Sequence, residues 1–431
     1  MSHERVYTID RVPTFERQTL ANGLRVLTAP MPHAQSVSCF VMLAAGSRYE
    51  TPETNGIAHF AEHMFFKGTE RRPTAQDIAG EIDAIGGEFN AFTGKEYTAY
   101  YVRCASEYRD VALDVLVDML RNATFDVEEI EREKGVIIEE MNMYVDTPRD
   151  YISRVYDQLV YGEEPLGWNI LGSKETIQAV SRETFGDYVG RWYSPERMVV
   201  GLAGNLGDRP VETVTELLGD LPAAATDAPP PSPFAADGHV RVHEKASDQA
   251  HICLGVAAYP IEHPDRYVLE LLRTVLGGGM SSRLFTEVRE RRGLAYYVFA
   301  ANQGYTDSGT LFAQAGVDLK RIDEAVTTIV EELRKLAAAP VPSDELEKAR
   351  SYAKGRFVLS LENPQGTNMF GLRREVLEGR ATEPSEVLAE LDKVTAEDVL
   401  RVGQDLMRED AFLLAVIGPF DQADRFRKLL S

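Results

Sequence analysis

Residues 222–237, PAAATDAPPPSPFAAD, are Pro/Ala-rich and almost without hydrophobic periodicity. Such a stretch reads as a linker, extended and semi-rigid around Pro229 to Pro233. It parts a chain of 431 residues into halves of similar length, and a chain this long is expected to hold more than one core. The halves look alike. PVPSDELEKARSYAKGRF at 340–357 echoes FDVEEIEREKGVIIEEM at 125–141, and each half runs through strands, a helix, a hairpin and further helices. The period is that of a duplicated unit, not of a solenoid. The expected fold is α+β: two homologous α/β domains, each a mostly antiparallel sheet flanked by helices, at 1–221 and 238–431, joined by the linker 222–237.

The elements follow from periodicity and turn chemistry. Asn22-Gly23 is a hairpin signal ahead of a short strand, Leu24 to Leu27. Ser36 to Ala45 is apolar enough for a central strand, and 46–55 reads as a polar loop. Thr74 suits the N-cap of a helix that ends in a glycine pair. Phe89 to Cys104 alternates around Gly94 as a hairpin, and Ser106 to Asn122 is an amphipathic helix with Val111, Val115 and Leu116 on its buried side. In the second half, paired strands are expected at Val240 to His243 and His251 to Ala257. A helix follows at Arg266 to Leu276, then a hairpin in GLAYYVFAANQGYTDSGTLFAQAGV and a helix from Ile322 to Ala337.

Charge narrows the function classes. With 68 acidic against 46 basic residues the net charge is −22, which argues against a general nucleic-acid binder. Cys39, Cys104 and Cys253 are far apart and form no disulfide framework or CxxC pattern, which suits a reducing compartment. The N-terminal residues show neither a secretory nor an import signal, and no apolar run approaches the ~20 residues of a membrane span. A soluble cytoplasmic protein with no membrane partner is expected.

The chemistry begins in IAHFAEHMFFKG. On a helix, positions i and i+4 share a face, so His59 and His63 can close on one metal ion, with Glu62 projecting on nearly the same side. The pattern HxxEH reverses the HExxH of zinc peptidases. Two histidines packed among apolar neighbours would give the same pentapeptide. Val127 to Val145 carries an apolar stripe of Ile130, Ile137, Met141 and Tyr144. Glu133 and Glu140 lie two turns apart on a face adjoining it, while Glu139 points about 100° away. A carboxylate beside a buried stripe needs a partner, and a metal ion supplies one; a surface carboxylate in a Glu-rich segment fits equally.

Two features of the second half remain. LGGGMSSRLF has a glycine triplet but lacks GxxxxGK[ST] and GxGxxG, so a hinge or a close-packed turn is expected in place of a phosphate cradle. In RERRGLAY, Gly293 ends a helix, Arg289 sits in its last turns and Tyr296 opens a strand. A cation and a phenol meeting there can both donate to a developing oxyanion. An arginine stacked on the surface and a tyrosine in a sheet explain the segment as well.

With these motifs in order, the sequence resembles the pitrilysin/insulinase clan of zinc peptidases, the inverzincins, and within it the short-chain members akin to mitochondrial processing peptidase. The resemblance runs from LANGLRV to the last helices. HFAEHMFFKGT looks like the clan's zinc helix, the segment around Glu140 like the helix of the third ligand, and RERRGLAY like its arginine–tyrosine pair. GEFNAFTGKEYTAYY looks like the sheet edge that takes peptides as an added strand. The resemblance implies a peptidase with one zinc ion per chain on His59, His63 and Glu140. Glu62 would be the general base, and Glu133 would orient a histidine. Arg289 and Tyr296 would receive the oxyanion, and Asn90, Ala91 and Phe92 would dock the peptide main chain. It also implies half of a clamshell, completed in a homodimer where each zinc faces the other subunit's Arg289 and Tyr296. A heterodimer with an inactive relative, a non-catalytic assembly subunit and a peptidase specialised for one precursor share this architecture, and manganese or cobalt suits the same site.

Overall fold

Each half of the chain builds its own sheet. The computed structural model describes residues 13–223, 228–236 and 238–431. The first sheet holds β1 (Glu16–Thr19), β2 (Arg25–Pro30), β3 (Ser36–Leu43), β4 (Glu88–Thr93), β5 (Thr98–Ala105) and β6 (Met198–Gly204), in the order β1-β2-β6-β3-β5-β4. The second holds β7 (Val240–Glu244), β8 (Gln249–Ala257), β9 (Ala295–Gly304), β10 (Gly309–Asp318) and β11 (Leu413–Gly418), in the order β7-β11-β8-β10-β9. Without β1 the two paths coincide. In both, only one pair is parallel, β2 with β6 and β7 with β11. The chain is therefore a pair of α+β domains with mostly antiparallel sheets, as its repeated sequence leads one to expect.

One pairing differs from expectation. β7 and β8 are not neighbours, because β11 lies between them, with Leu414 opposite Val240 on one side and Leu254 on the other. Consecutive strands are usually adjacent, but a strand arriving late displaces them here. Its residues suit the centre of a sheet: all six of LLAVIG are buried, as are all seven of MVVGLAG in β6, the matching strand.

The helices of the first half are α1 (Ile57–Met64), α2 (Ala75–Ala84), α3 (Arg109–Asn122), α4 (Val127–Val145) and α5 (Pro148–Tyr161). Thr74 and Asp77 form a capping box on α2, and Gly86 just beyond its end has φ +62. In α3 the stripe centres on Ala112, Val115, Leu116 and Met119. Val111 falls at its margin and is exposed, contrary to expectation. The polar loop expected at 46–55 is solvated only in its second half, since Ser47, Arg48, Tyr49 and Glu50 are buried while residues 51–53 are exposed. Of the two readings of the glycine triplet, the close-packed turn holds at Gly277, where a Cβ would come within 2.3 Å of Ala300 N.

The two halves exchange helices. α5 lies on the second sheet, with Ile152, Val155, Tyr156 and Leu159 in one cluster with Cys253, Leu413, Ala415 and Ile417. In return, the helix Pro364–Glu378 lies on the first sheet, where Leu372 meets Leu27, Phe40, Met42 and Val199. Asn368 Nδ2 on that helix donates to Ser38 O and Gly201 O, each at 2.9 Å. The described part of the linker is fastened to both halves. Pro230 O accepts from Arg48 Nε at 3.0 Å, Ser232 N donates to Asp307 Oδ2 at 3.1 Å, and Ala235 N donates to Val160 O at 3.1 Å. Residues 224–227 and 237 of the expected linker lie outside the described residues. Cys39, Cys104 and Cys253 are free and buried, and no helix among the described residues is long and apolar enough to cross a membrane.

Candidate metal centre

α1 begins at Gly56, with φ +101, and has no capping side chain of its own. Glu50 supplies one from the buried loop. Its Oε2 accepts from Gly56 N at 2.9 Å and Asn55 Nδ2 at 2.7 Å, and its Oε1 accepts from Ala58 N at 2.8 Å. A carboxylate at a helix N-terminus satisfies free N–H groups and faces the positive end of the dipole. Burial nevertheless pushes the Glu50 carboxyl up to about 8 against the pull of these donors. Glu50→Gln turns an NH₂ towards N–H donors and is expected to cost about 1–3 kcal/mol in urea unfolding. Because the folded-state value lies above the ordinary 4.5, the native state holds the proton more tightly. Stability from this group is then full below about 4.5 and lost as pH rises towards about 8, so the gap between wild type and the Gln variant should narrow over that window.

One turn of α1 separates His59 from His63, and their ring centroids are 4.5 Å apart. α4 packs beside α1 through Ile130, Ile137 and Met141, which carries Glu140 to the histidines: Oε2 is 3.7 Å from Nε2 of each. One ligand atom from each of the three residues lies within 4.8 Å of the others, the one such grouping among the described residues. Ligands ~2.0–2.1 Å from a tetrahedral zinc ion stand about 3.4 Å apart, a few tenths of an ångström inside the distance of Glu140 from either histidine. The donor set fits zinc.

The electrostatics point the same way. Burial holds His59 neutral, with its pKa lowered to about 3, the form in which imidazole ligates. Burial also raises the carboxyl of Glu140, a cost that a cation would offset. Glu133, at 3% exposure, sits behind His63. Its Oε1 is 2.8 Å from His63 Nδ1 and its Oε2 is 2.6 Å from Lys67 Nζ. Burial works to raise Glu133, but His63 and Lys67 outweigh it and hold the carboxyl below its usual range. Glu62 projects from the same helix, raised by burial, and Thr93 Oγ1 donates to its Oε2 at 2.5 Å.

Thr93 ends β4, the edge strand of the first sheet. Asn90, Ala91 and Phe92 precede it, paired on one side with Tyr101, Tyr100 and Ala99 and, among the described residues, with no strand on the other. Ala91 N donates instead to Asn90 Oδ1 at 2.8 Å. Arg289 and Tyr296 are far along the chain but meet each other. Arg289 lies in a π-helical segment, Phe285–Arg291, that ends before Gly293 at φ +58. Its guanidinium lies over the rings of Phe285 and Tyr296, at 4.9 and 5.6 Å. Tyr296, 75% exposed, is at the start of β9, the edge strand of the second sheet. Within one chain, neither forms a hydrogen bond or ion pair with His59, His63 or Glu140.

Sequence reasoning missed Glu50, Lys67 and Thr93. Lys67 had only a weak signal, a cation four positions after His63, and it lies beyond the end of α1. Thr93 directly follows the segment picked for its edge character. Glu50 had none, because a loop carboxylate gives no sign of the helix it will cap.

The family description Insulinase (Peptidase family M16) matches residues 25–174, and Peptidase M16 inactive domain matches residues 179–352. The chain is 39% identical over 406 residues to an uncharacterized zinc protease of Bacillus subtilis, covering 94% of this chain and 98% of that one. It is 36% identical over 417 residues to an uncharacterized zinc protease of Streptomyces coelicolor, covering 95% and 90%. Among solved structures, a protease from Helicobacter pylori superposes with a TM-score of 0.88 at 22% identity, over 95% of this chain and 100% of that one. That likeness speaks for the fold.

Proposed function

The chain belongs to the insulinase family of peptidases, M16, and on that footing we propose that it is a zinc-dependent endopeptidase acting on unfolded peptides, with residues 1–221 as the zinc-binding domain and 238–431 as its homologous companion. The observation that carries this reading is the convergence of His59, His63 and Glu140 with Glu62 beside them. When bound, zinc supplies Lewis acidity and lowers the pKa of a coordinated water towards ~7. The remaining work falls to side chains. Glu62 takes the proton of the attacking water and returns it to the leaving amine. Glu133 accepts the Nδ1 hydrogen of His63 and so fixes which nitrogen faces the metal. The peptide adds as a strand beside Asn90, Ala91 and Phe92, which carries its scissile bond past Thr93 to Glu62.

Bound metal and cleavage of a quenched peptide pool test this together: about one zinc per chain and turnover lost to a chelator and regained with zinc. Metal-free protein with no affinity for zinc would overturn it. Glu133→Gln should weaken zinc binding by about 10–100-fold in a competition titration, while Glu139→Gln, on the exposed face of α4, should not.

Arg289 and Tyr296 act in trans in this reading, across a homodimer, where they receive the oxyanion. Glu62→Gln and Tyr296→Phe chains, each inactive alone, would then complement when mixed. Random pairing in a two-fold dimer should restore about a quarter of wild-type activity. No recovery in mixed dimers would place both residues in the same chain's site.

A further inference from the structure

Arg154 is the half-buried cation of the site that no carboxylate holds. It lies on α5, and its charge reaches Glu140 and His59. Its partners are Asn169 Oδ1, to which Nη1 donates, and the ring of Tyr144, 4.4 Å from the guanidinium carbon. Arg48 and Arg72, two more deeply placed guanidinium groups, each form ion pairs, to Glu96 at 2.7 Å and Asp118 at 2.6 Å. Arg154 forms none. Burial lowers its pKa, and the nearby charges, Glu140 and Asp157 among them, only partly offset this. A buried charge without a partner is expensive unless something arrives to share it.

What faces Arg154 is a cavity of about 650 Å³ at the C-terminal end of α4, lined also by Asn142, Tyr144, Asn169 and Lys174. Lys174 is exposed and has no ion pair or hydrogen bond among the described residues. Two acids share the wall. Asp146 Oδ1 is engaged by Lys245 Nζ at 3.1 Å, Glu139 is exposed, and neither pairs with Arg154. A chain with a net charge of −22 thus keeps two unpaired cations in the cavity next to its metal ligands. Arg154, which lines the cavity, is close enough to act electrostatically on Glu140 and His59, so a peptide extended across the centre has this cavity within reach of its side chains or its end.

We infer that this cavity is a carboxylate subsite, in which Arg154 and Lys174 take an acidic side chain or the C-terminal carboxylate of the bound peptide. The inference rests on the peptidase reading for the peptide but not for the binding event. Arg154's planar fork suits bidentate recognition of a carboxylate, and the site would favour peptides bearing an acid near the cleaved bond.

The test uses the Glu62→Gln protein loaded with zinc, and fluorescein-labelled peptides in matched pairs. In one series a single Glu is replaced by Gln at successive positions; in the other the C-terminus is acid or amide. Fluorescence anisotropy should give about tenfold tighter binding of the carboxylate member in one series, which identifies the source. Adding Arg154→Met should erase the preference, and Arg154→Lys should keep part of it if its circular dichroism matches the parent. Equal affinities within every pair, a preference that survives Arg154→Met, or no binding of either member would overturn the subsite. A preference seen in binding while wild-type protein cleaves nothing would count against the peptidase reading and leave the subsite standing.

Discussion

Glu62→Gln should abolish peptide turnover and leave the metal in place. Glu62 is outside the ligand set, since the convergent atoms belong to His59, His63 and Glu140. Its Oε2 is taken by the hydroxyl of Thr93 at 2.5 Å, which leaves Oε1 as the basic position. Glutamine keeps the shape and can still accept from Thr93, but it offers no base. General-base catalysis by a positioned carboxylate contributes about 10²–10⁴-fold, so kcat should fall by at least that much. Zinc content, by mass spectrometry of the metal, should match the wild type within error. A variant that loses its zinc would mean that Glu62 ligates; one that still turns over at wild-type rate would remove it from the chemistry. Thr93→Val separates positioning from basicity, since it frees the carboxylate to rotate without removing it. Its effect should fall on kcat and be recovered by Thr93→Ser.

Much of this was open to a reader of the sequence, and the rest was hidden for identifiable reasons. The two sheets and their repeat follow from strand periodicity on either side of a linker, all local signals. The exchange of α5 and the helix Pro364–Glu378 is not local. The stripe Ile152, Val155, Tyr156 and Leu159 announces a buried face but is silent on which sheet receives it. The position of β11 between β7 and β8 was hidden likewise, because register says nothing of a strand that returns from the end of a domain. At the site, spacing gave His59 and His63 a common face, and gave Glu140 a face but no distance. The packing of α4 on α1 supplied the 3.7 Å. The loop at 46–55 is polar in sequence, yet Arg48 and Glu50 are buried because each finds partners, Arg48 in two distant turns and Glu50 in the N–H groups that open α1, while Glu53 stays exposed.

Arg48→Met should be the most destabilising single change away from the metal. Arg48 is 1% exposed and one guanidinium gathers four segments. Nη1 donates to Glu96 Oε1 at 2.7 Å, in the β4–β5 turn, and to Asp307 Oδ1 at 2.8 Å and Thr306 Oγ1 at 3.1 Å, in the β9–β10 turn. Nε and Nη2 donate to Pro230 O in the linker, at 3.0 and 2.8 Å. Glu96 in turn accepts from Thr306 Oγ1 at 2.5 Å. Methionine fills the volume but leaves Glu96, at 2% side-chain exposure, without its cation; Asp307, at 36%, can turn to water. Removing one partner of a buried pair costs about 3–5 kcal/mol, a large part of the ~5–15 kcal/mol that holds a domain folded. The urea midpoint should drop accordingly, and the loss should persist in high salt, because a buried pair is little screened. Adding Glu96→Gln should return part of the loss, since it removes the stranded charge. A drop below about 1 kcal/mol would class the cluster with ordinary surface pairs. The two turns joined by Arg48 belong to hairpins that each carry an edge strand, β4 beside Glu62 and β9 with Tyr296. A loosened variant that still folds should therefore also lose kcat/KM, because Arg48 is one of the ties that fix these two edges relative to each other.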